Sequence, residues 1–121
     1  MDYVQLYVDV GLECTGLLSL VANIVGGRVS RFSVEAEGLE IEVGKNGRRL
    51  GVLRNGPDAF LEYEYLVELE RPELMEMTAF HALVARVMTG LHSRNASVVA
   101  ACDFEEVLPG CGRLEYGGRR Y

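Results

Sequence analysis

Three carboxylates fall together in Asp103-Phe104-Glu105-Glu106-Val107-Leu108-Pro109. Paired carboxylates near a strand end can hold a metal or act as acid and base. No other ligand type lies close in sequence, so the plainer reading is a polar loop bounded by Pro109. His81 and His92 are eleven residues apart. On one helix they would share a side but stand roughly 16 Å apart at the α-helical rise. That is too far for joint metal ligation, and His81 lies off the apolar stripe.

Cys14 stands where a helix should start, a position that can lower a thiol pKa. No His or Asp is placed nearby in sequence to complete a nucleophilic set. Gly44-Lys45-Asn46-Gly47 and Gly110-Cys111-Gly112 lack the strand-to-helix context of a phosphate loop. The residues therefore suggest no catalytic set, no metal and no cofactor, and a binding protein rather than an enzyme.

The remaining chemistry is charge on a surface. Tyr3, Gln5, Tyr7 and Asp9 alternate with Val4, Leu6, Val8 and Val10, the period of a half-buried strand. Phe60–Glu70 alternates likewise. Leu61, Tyr63, Tyr65, Val67 and Leu69 are assigned to one face, and Glu62, Glu64, Leu66, Glu68 and Glu70 to the other. Val99 and Ala101 are placed on the same outer face, with Glu35, Glu37, Glu40 and Glu42 as further candidates. Like charges opposed across strands destabilise a sheet by a few tenths of a kcal/mol or so. An acidic, aromatic-dotted face thus points to a basic partner, with Tyr3, Tyr7 and Leu66 as contacts and Glu62, Glu64 and Glu68 as steering charges. The plainer reading is a solvated face offset by Arg31, Lys45, Arg48 and Arg49. A homodimer through the open face is a third option. Alternating aromatics also suit RNA recognition, but the surrounding charge has the wrong sign.

These strands need helices to cover their other face. Leu17, Leu18, Leu20, Val21, Ile24 and Val25 make one side of a helix that Gly26-Gly27 should stop. Phe80, Leu83, Val84, Val87, Met88 and Leu91 make a second stripe, with Thr78 a plausible N-cap. Arg28–Glu37 reads as one strand with Phe32, Val34 and Ala36 on a face. A bulge or bend at Gly38 would explain the phase change to Leu39, Ile41 and Val43. Asn46-Gly47 reads as a turn, with Arg48–Leu53 a short returning arm. Ala96–Cys102 is apolar on both faces, as an interior strand should be.

The order β-α-β-(hairpin)-β-α-β predicts an α+β, ferredoxin-like split β-α-β sandwich. Its antiparallel sheet would carry both helices on one face and an extra hairpin. Residues 1–109 would form the single domain and 110–121 a loose tail. The chain has 121 residues, a net charge of −6 and an apolar share of 49%. That composition supports a real core and argues against a protein that binds by neutralising phosphates. There is no basic n-region after Met1 and no apolar run near the ~20 residues that span a bilayer. Three cysteines, Cys14, Cys102 and Cys111, then read as reduced thiols in the cytoplasm. Nucleic-acid and membrane partners are not expected.

Phe60–Pro109 resembles a family of small uncharacterised actinobacterial proteins. The resemblance rests on a Tyr-rich acidic strand, the helix His81-Ala-Leu-Val-Ala-Arg86 and Ala100-Ala-Cys-Asp-Phe-Glu105. It implies no reaction and no catalytic residues. In size, acidity and layout the family is similar to immunity proteins that neutralise a cognate toxin. The expectation is a non-enzymatic, acidic, immunity or antitoxin-like protein that occludes a basic partner, such as a toxin. The alternatives are a dimeric small-molecule-binding or regulatory domain, and a small enzyme using Asp103 or Glu105 as a carboxylate base.

Overall fold

The computed structural model describes residues 2–47, 49 and 56–117. The chain runs through β1 (Tyr3–Asp9), α1 (Cys14–Val25), β2 (Arg28–Ser30), β3 (Ser33–Ala36) and β4 (Leu39–Lys45). A 3-10 segment (Gly56–Glu62) leads to β5 (Tyr65–Glu70), α2 (Met77–His92) and β6 (Ser97–Ala101). Two short 3-10 turns (Glu105–Val107, Pro109–Gly112) precede β7 (Arg113–Leu114). The fold is α+β. Its sheet has seven strands in the order β2-β3-β4-β5-β1-β6-β7, and every neighbouring pair is antiparallel. The class and the antiparallel sheet are those the sequence suggests, while the seven-strand order differs from a split β-α-β sandwich with one extra hairpin.

Both helices pack on one face. Leu17, Val21, Phe80, Leu83, Val84 and Val87 share a single core with Val4, Leu6, Val8, Ile41, Val67, Leu69 and Val98. Each such side chain contributes roughly 1.5–3 kcal/mol by leaving water. Gly90 sets how closely the helices approach, because a Cβ there would lie 2.7 Å from Ile24. α1 stops at Gly26, and the Gly27 N–H donates to the Ala22 carbonyl.

The local differences from the sequence reading have identifiable causes. Arg28–Glu37 is a hairpin rather than one strand. It reverses at Arg31-Phe32, with Arg31 at φ 55°. The Ser33 hydroxyl donates to the Ser30 carbonyl across the reversal. Phe32 therefore stands at a tip, 73% exposed, and not in the core. The phase change at Gly38 is also a reversal, since Glu37 and Gly38 both have positive φ and Ala36 pairs with Leu39. A two-residue loop with two positive φ angles matches the twist of its strands. α2 begins at Met77 with Glu76 in the cap position, so Thr78 is helical rather than capping. β6 is interior, as its burial on both faces requires, because β7 pairs with Val98 and Val99.

That pairing also corrects the C-terminal boundary. Arg113–Leu114 belongs to the sheet, and the Tyr116 N–H donates to the Ser97 hydroxyl at 2.8 Å. Gly110 and Gly112 take positive φ in the turns before β7, and residues 118–121 of the expected tail lie outside the described residues. Apart from Arg49, the arm expected at Arg48–Leu53 lies outside the described residues.

Candidate functional site: the open face of the sheet

The face away from the helices is built by alternate residues of β3, β4, β5, β1 and β6. Register sets its rows. Glu35 of β3 faces Glu40 of β4, and Glu42 of β4 faces Glu68 of β5. Glu68 in turn faces Gln5 of β1, and Glu70 faces Tyr3. Leu66, Tyr7 and Val99 form the next row across β5, β1 and β6.

One half of this face is closed by the chain itself. Phe60–Glu70 is not a continuous strand. Pairing starts at Tyr65, and Gly56–Glu62 is a 3-10 segment laid over the sheet. Phe60, Leu61 and Tyr63 pack against Tyr7, Leu66 and Val99 in a second apolar cluster. Leu61 and Tyr63 are thus on the side opposite to the one their spacing suggests. A period-two pattern is no guide where the backbone coils. The Arg113 guanidinium lies 5.1 Å from the Phe60 ring centroid and donates to the Pro57 carbonyl. Asn46 pins the segment. Its amide donates to the Leu61 and Tyr63 carbonyls at 3.0 and 2.9 Å, and its N–H donates to the Glu64 carbonyl. Asn46 is 4% exposed, so it acts as a clasp and not as a turn tip. A buried polar residue beside a glycine reads as a turn in any sequence, which is why this role was hidden.

Among the described residues the other half is open and acidic. Two adjoining hollows, about 390 and 410 Å3, share Glu40, Glu42 and Glu68. The first is edged by Phe32, Arg31 and Lys45 with Leu66 in its lining, and the second by Tyr3, Glu70 and Pro72. The Tyr3 hydroxyl donates to Glu68 Oε2 at 2.7 Å, and Glu40 Oε1 lies 3.2 Å from the Ser33 hydroxyl that is shared with the Ser30 carbonyl. Arg28 pairs with Glu35 at the border.

Of the six residues expected to meet a partner, Tyr3, Leu66 and Glu68 converge on these hollows. Tyr7 does not: it is buried beneath Phe60 and offers no outer surface. Glu62 ends the 3-10 segment and Glu64 precedes β5, so neither stands in the Glu68 row. Glu40 and Glu42 take their place. Glu37 lies in the β3–β4 turn and pairs with Arg86 of α2. Phe32 is the residue that its strand-like spacing concealed.

The other chemical candidates stay apart from this face. Glu105 accepts from the Cys102 N–H at 3.2 Å. The His81 ring stacks on Phe104 with centroids 4.3 Å apart, and its Nε2 is buried without a partner. His92 lies against the Glu115 carbonyl. Burial pushes the Cys102 thiol pKa upward, with nearby Glu105 and Asp103 adding to the rise. Among the described residues no group of three His, Cys, Asp or Glu is placed to hold a metal ion. No helix among them is long and apolar enough to cross a membrane. Comparison with protein-family models, with curated proteins and with solved structures finds no match.

Proposed function

We propose that this chain is a non-enzymatic binding protein of the immunity or antitoxin kind, acting in the cytoplasm by covering a basic surface of a protein partner. The observation that carries the reading is Glu42 opposed directly to Glu68 on the half of the sheet that the described residues leave uncovered. Opposed carboxylates cost stability in the free protein. A cationic partner would turn that cost into complementarity and faster encounter. Phe32 and Tyr3 flank the acidic row and would supply the apolar contacts that slow release. A second copy on the same face would set these carboxylates against their own kind, which disfavours the homodimer.

We read β4-β5-β1-β6 with α1 and α2 as a ferredoxin-like plait, extended by β2–β3 at one border and by β7 at the other. The support is that β5 inserts between β4 and β1, and β1 between β5 and β6. In this arrangement each helix links strands that are not neighbours.

The test is capture from extract of the source cells at low and high salt. It uses the native chain and an E40Q/E42Q/E68Q variant, with folding checked by circular dichroism. The native chain should retain a basic protein at low salt, the glutamine variant should lose it, and the purified pair should reproduce the difference. Equal retention by a folded variant would overturn the reading.

A further inference from the structure

One hollow differs from the others in charge. It lies between the end of β1, one side of α1 and the turn after α2, with a volume of about 470 Å3. That is within the range of small-ligand sites. Its polar lining is Ser19, Asn23, Arg94, Asn95 and Tyr116, and no carboxylate side chain contributes to it. The other hollows described above and around Glu37 each carry at least three glutamates. In a chain of net charge −6, an anion would find this site less repulsive than those hollows.

Arg94 is available for such a ligand. Arg28, Arg71, Arg86 and Arg113 are each ion-paired to a carboxylate, whereas Arg94 pairs with none among the described residues. The last turn of α2 does not present bare carbonyls against an anion. Leu91 O accepts from the Arg94 and Ala96 N–H groups, and Thr89 O from Ser93. Ser19 and Asn23 are four apart on α1 and so lie side by side. With Arg94 they line the same hollow, and all three side chains are exposed.

We propose that this hollow binds a small polar metabolite through an oxyanion, a carboxylate or a phosphate ester, seated on the Arg94 guanidinium. The planar fork of arginine matches either group with two parallel hydrogen bonds. Ser19, Asn23 and Asn95 then bond to hydroxyls on the ligand body, and Leu20 and Val10 supply its apolar floor. The site shares no lining residue with the acidic hollows and does not depend on the partner proposed for them.

The experiment is a titration of the isotope-labelled full chain, followed by amide and arginine side-chain NMR shifts. Inorganic phosphate and succinate are the probes, and glycerol is the neutral control. Saturable shifts should map to Ser19, Asn23, Arg94 and Asn95 with one or both anions, and the stronger probe distinguishes phosphate from carboxylate. Arg94→Gln should weaken the better anion by about tenfold or more, since it removes a charge-assisted pair. Asn23→Ala should weaken it by a smaller factor, and both variants should keep the native shift pattern elsewhere. The proposal is overturned if neither anion gives a saturable shift there, if the shifts gather at Arg31 and Lys45 instead, or if Arg94→Gln binds as well as the native chain.

Discussion

Tyr7 of β1 and Phe60 of the 3-10 segment meet edge to face, with ring centroids 5.1 Å apart and planes at 80°. The contact closes half of a sheet face that strand alternation alone would leave open. Phe60→Ala removes this ring and the surface under Arg113. Phe60 is only half-buried, so the loss should be about 1–3 kcal/mol, below that of a core phenylalanine. Urea unfolding measures it, and binding of an apolar dye should rise as Tyr7 and Val99 become accessible. An unchanged midpoint would mean that the segment does not pack on the sheet.

Asn46→Ala should be as damaging without removing any apolar surface. It orphans the Leu61 and Tyr63 carbonyls, and each loss of a buried hydrogen-bond partner costs about 1–3 kcal/mol. Amide hydrogen exchange should show faster opening of residues 60–63 than of β1. Equal protection in the variant and the native chain would contradict the clasp.

Leu83 lies in the core on α2. Leu83→Ala should cost roughly 2–5 kcal/mol by denaturant unfolding. A loss under about 0.5 kcal/mol would place the stripe outside the core.

Glu42→Gln should act in two opposite senses. Relief of the Glu42–Glu68 opposition should raise stability by a few tenths of a kcal/mol at low salt, an effect that fades as salt screens the pair. The same change should slow association with a basic partner. A variant less stable than the native chain at low salt would show that Glu42 is held by a favourable contact.

Alkaline pH should weaken the fold through Tyr65. Its phenol is 2% exposed and donates to the Leu12 carbonyl at 2.8 Å. Burial raises its pKa above the ordinary 10.0, with Glu64 adding to the rise. Above that ordinary value the unfolded chain loses the proton first, while the folded chain keeps it. The folded state then binds more protons, so stability falls as pH increases. Below it the contribution is intact. Tyr63 shifts in the same direction, also by burial first. The urea midpoint should drop from about pH 10 upward, and Tyr65→Phe should flatten part of that drop. A variant with the native slope would remove Tyr65 as the cause.

Most of the helix-facing side of the sheet was legible in the chain, because burial imposes a period on it. Val4, Leu6 and Val8, and Phe80 through Leu91, fall where their spacing puts them. On the outer face Glu40, Glu42 and Glu68 fall where alternation puts them, whereas Glu62 and Glu64 do not. What spacing could not reveal were the places where the backbone reverses or coils without breaking the pattern. Ser30-Arg31-Phe32-Ser33 keeps alternation on both sides of a turn, so a tip looked like a strand interior. Phe60–Tyr63 alternates by composition while folding as a 3-10 segment, and that moved Leu61 and Tyr63 to the other face. Asn46 illustrates the remaining gap: its bonds reach residues 15 and 17 positions away. No local window contains them.

The sheet ends at one border in the three residues of β2 and at the other in the two of β7. Amyloid-like growth needs a long, flat row of unpaired amides for the next chain to copy. Here the long strands, β1, β4 and β5, are all interior. Arg28 stands on one border and Arg113 on the other, adding charge where a templating strand would have to dock. Among its described residues, a protein with an apolar half-face and a seven-stranded sheet thereby offers other molecules only short border strands to extend.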